Sequence, residues 1–165
     1  MRCVTAATLG CVMLLARGAA AQQMELGWGL GLSTGLERSE RLSGEPFRRA
    51  RTRLFVPLDF RVDEFPQQGF GAVGFAEIEP HASLGGEFRW MRWLSPAFVG
   101  FVGVTGVLAP ETLLGADVGF QVHLPLGKST SVFIEPEFAA IPFGSDLPGD
   151  KLLLWALLGA GFHAN

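Results

Sequence analysis

The chain has 165 residues, of which 13 are basic and 16 acidic, with 22 glycines, two cysteines and no tyrosine. Such a net negative balance argues against a nucleic-acid partner. The mean hydropathy is positive at +0.31, yet no stretch beyond the N-terminal segment is long and apolar enough for a spanning helix.

Residues 1–21 begin Met1-Arg2, continue through an apolar run from Val4 to Ala16 and end on Ala19-Ala20-Ala21. A charged start, an apolar middle and a small-residue end make up a secretory signal, so the mature chain is expected to be residues 22–165. Both cysteines, Cys3 and Cys11, leave with it. No disulfide or thiolate site is then available, and a small exported domain needs another source of stability, such as a closed sheet with its outer face in lipid.

The mature sequence alternates. Leu26, Trp28, Leu30 and Leu32 interleave with Gly27, Gly29, Gly31 and Ser33, predicting a first strand with a glycine face. Residues 34–50 are rich in charge and read as a long exposed loop, in which Arg38, Arg41, Arg48 and Arg49 could meet a surface ligand or the phosphates of lipopolysaccharide. Residues 51–62 alternate Leu54, Val56, Leu58, Phe60 and Val62 with Arg53, Asp59 and Arg61, and residues 63–68 are read as a turn. Residues 69–93 keep one parity throughout but are too long for a single membrane strand of about ten residues. A hairpin is therefore placed inside the span, at Glu79-Pro80 or Gly85-Gly86, the second being the better two-residue turn signal.

A turn at 94–96 precedes a nearly all-apolar strand over 97–108, and residues 113–124 give the cleanest alternation. There Leu114, Ala116, Val118, Phe120, Val122 and Leu124 oppose Gly115, Asp117, Gly119, Gln121 and His123. After a turn at 125–130, residues 131–140 alternate again around Glu135 and Glu137, a Pro/Gly/Asp loop covers 141–150, and residues 151–162 close the chain. Ile-Glu-Pro recurs at 78–80 and 134–136, compatible with repeated hairpins.

Eight strands, glycine-rich alternation, long loops on one side and short turns on the other, and the terminal Leu-Leu-Gly-Ala-Gly-Phe at 157–162 resemble the small eight-stranded bacterial outer-membrane barrels. The resemblance implies an all-β, closed, antiparallel up-and-down transmembrane barrel in the bacterial outer membrane, with outer-membrane lipid and the barrel-assembly machinery as partners and no cofactor. In that family the last strand usually ends on an aromatic residue; here His163-Ala164-Asn165 follow Phe162. Trp28, Trp90, Trp93 and Trp155 are placed where interfacial girdles would fall.

With the apolar positions turned to lipid, Arg53, Asp59, Arg61, Glu87, Arg89, Asp117, His123, Glu135 and Glu137 become a polar network filling a narrow lumen. The expected role is non-enzymatic, structural or in surface contact. Two alternatives have sequence support. His81-Ala82-Ser83 with Glu79 and Glu87 looks distantly like the His-x-Ser of outer-membrane lipid A deacylases, without the Asn that follows their serine. A soluble lipocalin-like barrel would instead turn the apolar face inward around a ligand.

Overall fold

A computed structural model describes residues 24–39, 49–62, 68–145, 147 and 152–165. Residues 1–21, expected from sequence to be a secretory signal, and Arg41 and Arg48 lie outside these residues. Eight strands follow in order: β1 (Met24–Ser39), β2 (Arg49–Val62), β3 (Gln68–Glu79), β4 (Ser83–Ser95), β5 (Phe98–Ala109), β6 (Leu113–Pro125), β7 (Thr130–Gly144) and β8 (Leu153–Ala164). Each pairs antiparallel with its sequence neighbours, and β1 pairs with β8, closing the barrel. Closure leaves no strand edge unpaired, which a hydrocarbon environment requires of a sheet.

The odd and even positions separate along the whole chain because partners in each regular ladder share parity: Leu26 faces Phe60, Asp59 faces Gly27, and Gly103 faces Asp117. Even positions point outward. Leu30, Leu54, Phe88, Val104, Val118, Phe138 and Leu158 are all exposed large apolar side chains. Phe143, exposed at an odd number, lies beyond the register shift between Leu114 and Ala116, which reverses parity locally. Charged side chains on the even, outward positions sit near strand ends, at Arg38 and Arg92, leaving an apolar belt between them. This is the polarity of a membrane barrel and the inverse of a lipocalin-like one, whose exposed face would be polar.

Odd positions fill the inside. Besides polar groups they include Phe55, Val73, Phe75, Val107, Leu113, Phe133, Ile141, Leu153, Trp155 and Leu157 in one apolar cluster, and Met91, Val99 and Phe101 in another. Glycines on this face make room for rings: a Cβ at Gly31 would overlap the ring of Phe55, and one at Gly119 the ring of Phe101. Gly31→Val is therefore expected to cost about 1 to 3 kcal/mol by overpacking. A lowered midpoint for urea unfolding in detergent, at unchanged slope, would show it.

The structure corrects three sequence expectations and decides between the two hairpin positions. The third hairpin turns at residues 80–82, at the Glu79-Pro80 alternative and not the preferred one, and Gly85 and Gly86 lie within β4, paired with Phe75 and Gly74. Gly85 is there for space, since a Cβ would run into the Phe75 ring. The segment 34–50 is shorter as a loop than its charge suggested: β1 runs to Ser39 and β2 starts at Arg49, with Glu37 opposite Arg49. The other long loop also shrinks, because β7 continues to Gly144. Finally, only Trp28 and Trp90 face outward; Trp93 is half-buried and Trp155 fully buried inside the barrel.

Candidate functional site: the barrel interior

The network is built from strands that face each other across the lumen, and it has three levels. At the end carrying the long loops, Arg51 of β2 donates from Nε to Glu37 at 2.7 Å and from Nη1 to Glu77 at 2.6 Å. The Ser83 hydroxyl donates to Glu77 at 2.7 Å, and the Trp155 indole N–H to Glu37 at 3.1 Å. The Arg51 guanidinium lies 4.0 Å from the Trp155 ring centre, a cation–π contact in a dry setting.

At mid-height, Arg53 donates from Nη1 to Glu87 at 2.8 Å and packs its guanidinium 4.4 Å from the Phe75 ring centre. Arg89 spans the lumen. Its Nε donates to Glu87 at 2.8 Å, and its Nη2 donates to Glu135 at 2.9 Å and Glu137 at 3.1 Å, tying β4 to β7. The Gln121 amide caps the other Glu135 oxygen at 2.5 Å, and Phe101 supports the Arg89 guanidinium at 4.0 Å. Glu87, Asp117 and Glu137 each bring one carboxylate oxygen within 4.8 Å of the others. Oxygen atoms of this kind suit hard cations.

The third level, at the end carrying the chain termini, is looser. His163 Nε2 lies 2.7 Å from Asp59, and the two His123 nitrogens lie 3.0 Å from Ser131 and from Gln121. Arg61 pairs with Glu25. These groups and Trp93 line a cavity of about 300 Å³.

All nine residues named from sequence for the lumen thus lie on the inner face, but they do not form one unit. Arg53, Glu87, Arg89, Asp117, Glu135 and Glu137 converge at mid-height, whereas Asp59, Arg61 and His123 belong to the terminal level. Glu37, Arg51 and Glu77 were missed as network members. Their odd numbers were the available signal, obscured for Glu37 because its neighbourhood was read as loop. Of the loop arginines, Arg38 is exposed on β1, and Arg49 belongs to β2.

The acid–imidazole–hydroxyl alignment that the alternative reading around His81 and Ser83 requires is not formed. Ser83 is buried at the start of β4 and bonded to Glu77, while His81 lies in the turn with Nε2 3.7 Å from Glu111. Glu79 accepts a hydrogen bond from Thr52, and Glu87 is held by Arg53 and Arg89. The reason is local: the turn at 80–82 interrupts the strand on which these side chains were to share a face.

No family model matches the sequence, and no curated protein does. Among solved structures the chain is similar to Neisserial surface protein A, with a TM-score of 0.57 at 9% identity over 86% of this chain and 98% of that one. A designed transmembrane β-barrel aligns with a TM-score of 0.41 at 7% identity, over 81% and 94% of the two chains. The strand pairing and the match to Neisserial surface protein A agree on an all-β, closed, eight-stranded antiparallel barrel fold.

Proposed function

We propose that the protein is a small non-enzymatic barrel of the bacterial outer membrane that works through its exposed long-loop end. The observation that carries this reading is the closed interior: Arg89 and its carboxylates bridge β4 and β7 at mid-height, and apolar side chains fill the space around them. A plugged lumen leaves the ends as the surfaces free to meet a partner. The segments joining β1 to β2 and β7 to β8 are longer than the three-residue turns at 80–82 and 110–112, and all four lie at the same end.

Purified protein inserted into planar bilayers is expected to add no steady conductance. A stable open channel would move the working site into the lumen.

The surface reading has its own test, with purified lipopolysaccharide as the probe for the basic side of the loop. Deleting residues 41–47 is expected to leave heat-modifiable migration on gels intact, because β1 and β2 keep every strand residue. Combined with glutamine at Arg38, Arg48 and Arg49, so that all four loop arginines are gone, it is expected to reduce retained lipopolysaccharide several-fold. A deletion reaching Ser39 would be less clean, since Ser39 pairs with Leu153 and anchors the seam between β1 and β8. Equal retention by both forms would leave the barrel with a structural role alone.

A further inference from the structure

Inside the barrel, charges do not balance. Among the described residues, the buried carboxylates are Glu37, Asp59, Glu77, Glu87, Asp117, Glu135 and Glu137, and the buried guanidiniums are Arg51, Arg53 and Arg89. The excess is concentrated at mid-height, where Glu87, Asp117, Glu135 and Glu137 share Arg53 and Arg89 and retain two formal negative charges. An uncompensated ion in a dry interior costs several kcal/mol, so a native fold holds it with a counter-charge or neutralises it with a proton.

One carboxylate is conspicuous. The Asp117 side chain is fully shielded from solvent, yet neither of its oxygens has a hydrogen-bond partner in another residue. The nearest charge is Arg89 Nε at 3.9 Å. Glu137 Oε1 is also without a hydrogen bond, 3.6 Å from Arg53. Arg53 and Arg89 direct their hydrogen bonds to Glu87, Glu135 and the other Glu137 oxygen, and Arg53 Nε and Nη2 and Arg89 Nη1 make none. The three unbonded oxygens are carried by Asp117 and Glu137, two of the three residues whose carboxylates approach within 4.8 Å of one another; Glu87 is the third. The backbone leaves space for this: Gly103 stands opposite Asp117 in the β5–β6 ladder, and a Cβ on it would lie 2.9 Å from Oδ1 and 3.1 Å from Oδ2.

We propose that Glu87, Asp117 and Glu137 bind one hard divalent cation, Ca²⁺ or Mg²⁺, in the middle of the barrel. Carboxylate oxygens are the ligands such ions prefer, and a charge of +2 matches the local excess. The two arginines set the stoichiometry, because they neutralise half of the four carboxylates and leave room for one ion. The site is structural, and this inference does not depend on what the loops contact.

The test uses the mature barrel unfolded in urea with chelator, then refolded in zwitterionic detergent with CaCl₂, MgCl₂ or NaCl at matched ionic strength. After gel filtration into ion-free buffer, elemental analysis is expected to find about one Ca²⁺ or Mg²⁺ per chain. The heat-modifiability midpoint should rise by about 5 °C or more over the NaCl sample. Asp117→Asn should lose both the ion and the shift, Glu137→Gln should weaken both, and Glu79→Gln, on the rim outside the cluster, should keep both. Wild type that retains no divalent ion overturns the proposal and assigns the excess charge to bound protons. Retention unchanged in Asp117→Asn and Glu137→Gln overturns it as well, by placing the ion elsewhere.

Discussion

Alanine at Arg89 is expected to destabilise the barrel by about 3 to 5 kcal/mol, the range for removing one partner from a buried ionic group. The magnitude follows from what stays behind. Glu87, Glu135 and Glu137 all accept hydrogen bonds from this one guanidinium, and with Asp117 they would remain buried with Arg53 as the sole guanidinium left beside them. Lysine at 89 should restore part of the loss at most, because an ammonium is a point charge and cannot span Glu87 on β4 and both glutamates on β7 from one planar group. Urea titration of the refolded protein, read by the fraction of fast-migrating species on unheated gels, measures the order wild type, Arg89→Lys, Arg89→Ala. An Arg89→Ala protein as stable as wild type would mean that the carboxylates are neutral in the fold and that the plug is not ionic.

The dependence of the interior on one side chain also explains which parts of it could be read from the sequence. Strand identity and facing are legible in β1, β2, β4 and β6, where glycine and polar side chains on the inner face alternate with apolar ones outside; β5 and β8 are apolar on both faces and carry no such period. Asp117 between Ala116 and Val118 needs no tertiary information to be placed inside. What periodicity cannot supply is the height at which two strands meet. Arg89 and Glu135 are 46 positions apart, and their contact is set by closure and strand stagger, which no local pattern encodes. The same limit separates Asp59 and His123 from the mid-level carboxylates although all share a face.

The misread boundaries have a related cause. Glu37, Arg38 and Arg49 look like a solvated loop when counted as charge, yet Glu37 is buried and bonded inside the wall to Arg51, the first residue of the segment read as strand. Gly85-Gly86 looks like a turn when glycine is taken as a chain-reversal signal, whereas in a packed lumen glycine also marks the place where a ring needs room. Trp93 and Trp155 were assigned to girdles by residue type, although their odd numbers already put them inside. In each case composition was weighed above parity, and the interior of a small barrel, which holds charges, rings and glycines together, rewards the opposite order.

Arginine at Val118 is expected to cost about 2 to 4 kcal/mol when the protein folds into a bilayer, as for a cationic side chain at the lipid midplane. Val118 is half-exposed on the outer wall near the middle of β6, across from Val102 and Phe138 and far from either rim. A guanidinium there has only hydrocarbon around it, with no water and no carboxylate within the belt to accept its donors. The comparison that makes the measurement decisive is Leu124→Arg, on the same strand and the same face but at the end next to the terminal turn. There the side chain can reach the interface, and the expected cost falls to about 0 to 1 kcal/mol. A steep difference between the two sites, measured by urea unfolding from phosphatidylcholine vesicles, requires a hydrophobic slab around the barrel with its centre near residue 118. Equal and negligible costs would show that the outer wall meets water, and the exposed leucines, valines and phenylalanines would then need a protein partner to cover them.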